Sequence, residues 1–259
     1  MFLRREKMTE IKNLTHSYGK FTALKDVSFN IEKGDFIGLI GPNGAGKTTL
    51  MNTMVGILAA DSGEVLVDGE GTEGFSASVR AKIGYMPSEL AAYEMFSPEE
   101  LLKFLAAMYG VDEKTTAERM EKLFDKLDMR EWKKKSIKKL STGMKKKTAF
   151  AAAVIHHPEL LVLDEPFESV DPISQHKMKE ILKKYLETGG AVLMSSHVLD
   201  TVQNLCNRFI IMNKGEIIKQ STPDKLDGSL EEEFFELVNS LKLNEGDEEI
   251  LEDDDASED

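Results

Sequence analysis

The order of apolar and polar residues divides the chain into a strand-rich start, a helical middle and a second region that mixes strands with helices. Glu10–Thr15 and Val27–Ile31 predict antiparallel strands within residues 8–35, and the second stretch alternates apolar and polar residues with a period of two. Uninterrupted apolar runs predict strands that are buried on both faces. These runs are Phe36–Ile40, Leu160–Leu163 and Ala191–Met194.

Helical spacing dominates the middle of the chain. A helix is predicted to begin after Ser97, because Pro98 suits a first turn and Glu100 completes a capping box, and to end at Gly110. We therefore expect residues 90–156 to form a mainly helical insert. The other predicted helices cover residues 113–128, 143–156, 173–187 and 230–242, and the remaining predicted strands cover residues 64–68, 82–86, 209–212 and 216–220, with a loop at 69–74.

Length and composition are those of a globular protein. The chain has 259 residues, of which 41% are hydrophobic, so it can form one large or two small domains with a substantial core. No apolar run approaches the roughly 20 residues that cross a bilayer. The first seven residues lack the apolar segment of a signal peptide, and Met8 could equally be the natural start. The single cysteine, Cys206, predicts a reducing cytosol and a small buried side chain rather than a reactive thiol.

The net charge of −13 belongs mostly to the end of the chain. Ten of the fifteen residues from Glu245 to Asp259 are Asp or Glu, and without those ten the remainder carries −3. A nearly neutral body gives no electrostatic reason to expect nucleic-acid binding. We expect residues 8–240 to fold as one unit and residues 241–259 to form a disordered acidic tail.

A phosphate-binding loop is the clearest motif. Gly41–Thr49 follows the pattern of Gly, four free positions and Gly-Lys-Thr, between a buried strand and a helical pattern. Its glycines allow several backbone N–H groups to surround a phosphate. Lys47 is predicted to contact the β- and γ-phosphates and Thr48 to bind Mg²⁺. The predicted nucleotide-binding residues here are Gly41, Pro42, Asn43, Gly44, Ala45, Gly46, Lys47, Thr48 and Thr49.

Two carboxylates follow the second apolar run. Asp164 and Glu165 end the predicted strand Leu160–Leu163, and open α/β sheets bind ligands at the carboxyl ends of their strands. Asp164 is suited to hold the Mg²⁺ shell, and Glu165 to accept the proton of an attacking water. The alternative, that the pair only caps a helix, is disfavoured by the phosphate loop.

Four stretches in this order resemble the nucleotide-binding subunit of an ABC transporter. They are Gly41–Thr49, Leu140–Met144, Leu160–Pro166 and His197. The resemblance covers about residues 8 to 240. It implies an α/β P-loop NTPase of the ABC type, with a mostly parallel central sheet, an antiparallel β subdomain and a helical subdomain at about residues 90–156.

The resemblance also implies roles for single residues. Tyr18 matches the aromatic residue that stacks on adenine, although ordinary packing remains an alternative. Ser141 and Gly143 would contact the γ-phosphate held by a second subunit, so that two chains enclose two MgATP. Ser169–Pro172 is similar to the loop that crosses this dimer interface. His197 matches the histidine that contacts the γ-phosphate and orients the catalytic residues.

The chain departs from the family pattern at three places. Thr142 and Met144 replace a Gly and a Gln of the signature, whereas Ser141 and Gly143 are kept. Ser88 stands where the family has a Gln that reaches Mg²⁺ and couples to the membrane partner. Serine is shorter, so either a water bridges from Ser88 to the metal or Glu89 takes its place.

Eight lysines surround the signature, which is the third departure. They predict either a solvated helical surface or a positive rim that attracts ATP or anionic lipid headgroups. The eight are Lys133, Lys134, Lys135, Lys138, Lys139, Lys145, Lys146 and Lys147.

The resulting hypothesis is an ATPase subunit that is peripheral on the cytoplasmic face of the membrane. Its implied partners are a second copy or a homologous ATPase subunit and an integral membrane permease, with ATP and Mg²⁺ bound and no nucleic acid. Glu165–Phe167 and Ser169–Pro172 resemble exporters of the drug, bacteriocin and ABC-2 kind, and the closing segment Leu230–Leu237 is similar to their ending. The alternatives are a non-transport ABC ATPase, such as the iron–sulfur assembly type, and an ATP-sensing cassette with weak hydrolysis.

Overall fold

A computed structural model of the protein describes residues 7–72 and 76–245. Among these residues the strands form two sheets, and the first is antiparallel. Its strands are β1 (Lys7–Tyr18), β2 (Phe21–Glu32), β4 (Ser62–Val67) and β5 (Glu70–Gly71), and the central sheet contains β3 (Phe36–Ile40), β6 (Ile83–Met86), β7 (Leu160–Leu163), β8 (Ala191–Ser195), β9 (Arg208–Asn213) and β10 (Glu216–Ser221).

The order of the central sheet brings distant parts of the chain side by side. The strands run in the order β10-β9-β3-β8-β7-β6, and all neighbours from β9 to β6 are parallel. Only the hairpin strand β10 is antiparallel, to β9, within the described part of the chain. The carboxyl ends of β3, β7 and β8 therefore meet at one edge, although long segments separate them in sequence.

Helices cover this sheet and build the helical insert. The helices α3, α4 and α5 follow one another between β6 and β7, as the periodicity predicted. The capping box at α3 is confirmed, since the Glu100 carboxylate accepts the Ser97 N–H at 2.8 Å. The helices are α1 (Lys47–Met54), α2 (Ala77–Lys82), α3 (Pro98–Met108), α4 (Glu113–Lys126), α5 (Thr142–Val154), α6 (Pro172–Glu187), α7 (Leu199–Leu205) and α8 (Leu230–Glu245).

Two apolar cores lie on opposite faces of the central sheet. Along β7, Leu161 and Leu163 pack into a core shared with the helical insert, whereas Leu160 and Val162 pack into a core shared with the antiparallel sheet and α1. Side chains alternate between the faces of a strand. This is why the central strands are apolar at every position, as predicted for strands covered on both sides.

The differences from the predicted elements are local. The helices α2 and α7 were not predicted, and β5 pairs with β4 where a loop was expected. The final helix continues to Glu245, three residues beyond its predicted end. Residues 246–259, where most of the predicted acidic tail falls, lie outside the described residues. Cys206 is buried, as predicted, and burial raises the pKa of its thiol.

Candidate functional site

The phosphate loop connects the end of β3 to the start of α1. Gly46 has a φ of 100°, a left-handed conformation, and a Cβ at this position would lie 2.6 Å from the Ala23 carbonyl oxygen. No other residue type fits there without displacing the backbone of β2. Since Gly46 has no side chain to cap α1, the first N–H groups of this helix can bind an anion, helped by the helix dipole.

Lys47, the first residue of α1, folds back across the phosphate loop. Its Nζ donates hydrogen bonds to the carbonyl oxygens of Gly41, at 2.7 Å, and Pro42, at 3.1 Å. Burial lowers the pKa of Lys47, and the nearby carboxylates of Glu165 and Asp164 act in the opposite direction. The ammonium group therefore lies against the phosphate loop, and Lys47 lines the same cavity as both acids, where it can contact an incoming phosphate.

Asp164 links the phosphate loop to the central sheet. The Thr48 hydroxyl donates to Asp164 Oδ2 at 2.9 Å, and the Ser195 hydroxyl donates to Asp164 Oδ1 at 2.6 Å. Asp164 is buried, with 2% of its surface exposed. A hydroxyl and a carboxylate side by side offer the oxygen ligands that Mg²⁺ prefers, so the donor set fits that ion.

Glu165, the next residue, has a left-handed backbone conformation, with a φ of 48°. Its N–H donates to Ser195 Oγ at 2.8 Å, and its Oε2 lies 3.1 Å from His197 Nδ1. The side chain of Glu165 is 19% exposed and that of His197 is 57% exposed. Two neighbouring acids thus have distinct surroundings, one buried on hydroxyl groups and one facing a histidine.

A cavity of about 300 Å³ lies above these groups. It brings together residues from the first hairpin, the phosphate loop, the segment after β6 and the end of β7. Phe21, which was not predicted, lines it opposite Tyr18, and the two residues are paired across the β1–β2 hairpin. The lining residues are Tyr18, Phe21, Ala23, Asn43, Gly44, Ala45, Gly46, Lys47, Thr48, Thr49, Ser88, Asp164 and Glu165.

Ser88 lines this cavity, whereas Glu89 is not among its described lining residues. Glu89 instead lines two neighbouring cavities between β6 and the helical insert. Of the two residues considered for the role of the missing Gln, Ser88 is therefore the one that faces this cavity.

The signature segment, Leu140–Met144, lies elsewhere on the surface. Ser141 caps α5, its side chain accepting a hydrogen bond from the Met144 N–H at 3.3 Å, and both Ser141 and Thr142 are exposed. A Cβ on Gly143 would lie 2.9 Å from the Ser169 carbonyl oxygen, so a glycine is needed for this close approach. Of the described residues that line the phosphate-loop cavity, none belongs to the signature segment.

Both interpretations of the lysine cluster treated all eight lysines as exposed, and the structure contradicts this for half of them. Lys146 and Lys147 are buried, and Lys147 Nζ donates to the Ser174 hydroxyl and lies 5.5 Å from the centre of the Trp132 ring. Lys133 and Lys145 form ion pairs with acidic residues of the helical insert. Of the eight lysines, four are exposed, namely Lys134, Lys135, Lys138 and Lys139.

Two polar residues of the site, Ser195 and Lys146, were missed. Ser195 ends the apolar run of β8, and its hydroxyl contacts both Asp164 and Glu165. A hydroxyl at the carboxyl end of a buried strand was the available signal. Lys146 donates to the Glu165 carbonyl oxygen, but the run of three lysines in the sequence resembles an exposed helix face.

The fold and the phosphate loop define a P-loop NTPase. The family model described as ABC transporter matches residues 24–168. The linearmycin resistance ATP-binding protein LnrL of Bacillus subtilis is 36% identical over 219 residues, which are 85% of this chain and 70% of that protein. The lantibiotic transport ATP-binding protein SrtF of Streptococcus pyogenes is 36% identical over 238 residues, which are 92% of this chain and 99% of that protein.

Structural similarity agrees with the sequence relatives. A solved ATP-binding subunit of an ABC transporter superposes with a TM-score of 0.84 and 28% identity, covering 89% of this chain and 99% of the other. The chain therefore belongs to the ABC transporter family, as an ATP-binding subunit, and the resemblance and fold class predicted from the motifs are confirmed. Within the described ranges, none of the helices is long and apolar enough to span a membrane.

Proposed function

We propose that this chain hydrolyses ATP to drive export through a separate integral membrane permease, paired with a second copy of itself or a homologous ATPase subunit. The observation that carries the proposal is an unbroken line of contacts at one sheet edge. It runs from Thr48 through Asp164 and Ser195 to Glu165 and His197. This line connects a phosphate-binding loop with a carboxylate–histidine pair.

The phosphate loop and Lys47 bind the triphosphate. The N–H groups at the start of α1 receive phosphate oxygens, and the Lys47 ammonium exchanges its contacts with the Gly41 and Pro42 carbonyls for the β- and γ-phosphates. Thr48 and Asp164 would hold Mg²⁺, with Ser88 acting through a water. When bound, Mg²⁺ neutralises charge on the phosphate oxygens.

Glu165 accepts the proton of the attacking water. The water oxygen bonds to the γ-phosphorus in line with the departing oxygen of ADP, the bond from that oxygen to phosphorus breaks, and the proton passes to the Glu165 carboxylate. His197, 3.1 Å from Glu165 Oε2, orients this carboxylate and contacts the γ-phosphate. Lys47 balances the negative charge of the transferred group.

A second subunit supplies the missing side of the site. Ser141 and Gly143 lie at the N-terminus of α5, where a helix dipole and a hydroxyl suit an anion. Neither is among the described residues that line this chain's own phosphate-loop cavity, which supports a role for them at the γ-phosphate bound by the partner. ATP then holds the two chains together, and hydrolysis releases them.

The membrane permease docks in the groove between β6 and the helical insert. This groove, of about 390 Å³, is lined mainly by apolar and aromatic side chains, including Pro87, Tyr93 and Tyr109. Ser88, which lines the nucleotide cavity, is flanked in sequence by two groove residues, Pro87 and Glu89. A permease segment seated there would respond to the presence of ATP, from a position on the cytoplasmic face of the membrane.

Export is the direction that the relatives support. LnrL is named for linearmycin resistance and SrtF for lantibiotic transport. Resistance to one compound and transport of another both fit movement of a compound out of the cell. The nearly neutral body of the chain supports a partner other than nucleic acid.

The test combines ATP hydrolysis with capture of the permease. We expect the purified chain to hydrolyse ATP only with Mg²⁺, and the tagged chain to retain one membrane protein from detergent-solubilised membranes that changes this rate. Ala92→Arg, in the groove, should lose that protein, whereas Met95→Arg should keep it because Met95 is 84% exposed and is not among the described groove residues. Tight ATP binding without hydrolysis, or equal capture by both variants, would contradict the proposal.

A further inference from the structure

Lys146 carries a buried ammonium group behind the nucleotide site. It lies in the second turn of α5, and its side chain is 6% exposed. The Nζ donates a hydrogen bond to the Glu165 carbonyl oxygen at 2.9 Å. Burial lowers the pKa of Lys146, and the carboxylates of Glu168, Asp164 and Glu165 act in the opposite direction. An ammonium buried to this extent is tolerated only where its hydrogen bonds are made.

Lys146 holds one side of an unusual stretch of backbone. The left-handed φ of 48° at Glu165 is uncommon for a residue with a side chain and persists only where the surroundings impose it. The Ser195 hydroxyl accepts the Glu165 N–H at 2.8 Å, and Lys146 binds the Glu165 carbonyl. The peptide groups on both sides of the Glu165 Cα are thus fixed by buried side chains.

The loop that follows Glu165 is held independently. Gln175, in α6, donates from Nε2 to the carbonyl oxygens of Phe167 at 3.0 Å and Val170 at 2.9 Å. Loss of the Lys146 contact would leave the Glu165 carbonyl oxygen with only the longer hydrogen bond from the Glu168 N–H, at 3.3 Å, among the described contacts, while Gln175 keeps the neighbouring loop in place. The effect should be local and centred on the direction of the Glu165 side chain.

We propose that Lys146 is a positioning residue for hydrolysis: its ammonium fixes the Glu165 carbonyl and so keeps the Glu165 carboxylate aimed at His197 and the nucleotide cavity. The inference rests on the proposed function in taking Glu165 as the proton acceptor. It also joins α5, which begins after Ser141, to the hydrolytic residue of the same chain.

Two simpler roles fit the contacts less well. An ion pair with Glu168 is weak, because the shortest separation is 3.9 Å and the Glu168 side chain is 51% exposed. Direct contact with phosphate is also disfavoured. Lys146 lines a separate cavity of about 260 Å³ with Ser88, Glu94 and Thr142, and it is not among the described residues lining the phosphate-loop cavity.

The test is Lys146→Met, which keeps the length of the side chain and removes the ammonium. We expect kcat for MgATP hydrolysis to fall about tenfold, because misplacement of a reacting group by a fraction of an ångström slows catalysis strongly. The KM for MgATP and the dissociation constant of a fluorescent ATP analogue should stay within about twofold of wild type. Lys146→Arg, which retains a charged donor, should restore most of kcat.

Lys147→Met is the matched control. Lys147 is the next residue of α5, is 9% exposed and donates a hydrogen bond to the Ser174 hydroxyl, and none of its described hydrogen bonds goes to Glu165. We expect this variant to melt at a lower temperature with kcat unchanged. A thermal melt of every variant separates loss of folding from loss of rate.

Several results would overturn the inference. These are an unchanged kcat in Lys146→Met, an increase in KM alone, no rescue by Lys146→Arg, or an equal loss of kcat in Lys147→Met. If Lys146→Met does not fold, Lys146→Gln takes its place, and if neither folds while Lys147→Met does, the role of Lys146 is structural. A wild-type chain without hydrolysis would refute the proposed function itself, and this inference with it.

Discussion

The phosphate-loop site and the signature segment bind the same ligand in the proposed function, yet they differ in how complete they are within one chain. At the phosphate loop, Thr48, Asp164, Glu165 and His197 are already joined by hydrogen bonds through Ser195 or directly. Ser141, at the signature, is exposed, and its side-chain bond goes to its own helix. One half of the site is preorganised by the fold, and the other depends on a partner.

The difference follows from where each half sits. The first half lies at the carboxyl edge of buried parallel strands, where the strand register fixes each side chain. The pairing of Leu163 with Met194 places the next residues, Asp164 and Ser195, beside each other. The second half is the N-terminus of α5, where Ser141 and Thr142 are exposed although most of the helix is buried, and the first backbone N–H groups of a helix have no partner within it. A single chain should therefore bind ATP but need a second chain to complete the site.

Glu165→Gln tests the preorganised half and has the largest expected effect. The amide keeps the shape of the side chain and cannot accept the proton, so we expect the hydrolysis rate to fall about 10²-fold or more. ATP binding should be unchanged, and an ATP-bound dimer should accumulate. Steady-state hydrolysis and size-exclusion chromatography with light scattering measure the two effects.

The control is Glu168→Gln, which removes a nearby carboxylate that is about half exposed. It should hydrolyse ATP at the wild-type rate and remain monomeric under the same conditions. Hydrolysis by Glu165→Gln at the wild-type rate would show that another group accepts the proton.

The residues of the site also differ in whether local sequence patterns were enough to predict them. Gly41–Thr49 and the pair Asp164 and Glu165 are contiguous motifs, each next to a buried strand, so local patterns were enough to find them. Ser195 joins the site only because β8 lies between β3 and β7 in the sheet. Strand order is a property of the whole fold, and no local pattern contained it.

The sequence patterns also did not predict which charged residues are buried. The sequence predicts one exposed polar face at Lys145, Lys146 and Lys147, because hydrophobic patterning treats lysine as a surface residue. In the fold, α5 passes between the central sheet and the other helices of the insert, and two of the three lysines satisfy their charge inside. The short helices α2 and α7 escaped prediction because six or seven residues are too few to establish a helical period.

Ser141→Asp tests the incomplete half, with an intermediate expected effect. Aspartate caps a helix as well as serine does, so the fold should be retained. The added carboxylate would face the partner's γ-phosphate, and like charges opposed across an interface cost several kcal/mol. In a Glu165→Gln background, we therefore expect the ATP-dependent dimer to weaken about tenfold or more, as measured by analytical ultracentrifugation.

Ser141→Asn is the matched control, because it keeps the cap without adding charge. It should dimerise far better than Ser141→Asp, and both variants should bind ATP as monomers with the wild-type affinity. If Ser141→Asp lowered the ATP affinity of the monomer, or left dimerisation intact, the division of the site between two chains would be wrong.

Tyr18 and Phe21 test the edge of the preorganised half and have the smallest expected effect. Both aromatic side chains line the nucleotide cavity, yet they are 50% and 64% exposed, so stacking on the base would be incomplete. Full stacking contributes roughly 1–3 kcal/mol for each base, and we expect Tyr18→Ala to weaken ATP binding only about fivefold. Phe21→Ala should have a similar effect if both rings contact adenine.

Inorganic tripolyphosphate, which has no base, should bind both variants and the wild type equally, as measured by calorimetry. An equal loss for tripolyphosphate would mean that the aromatic pair supports the phosphate loop instead, and the adenine contact would then have to come from a different part of the cavity.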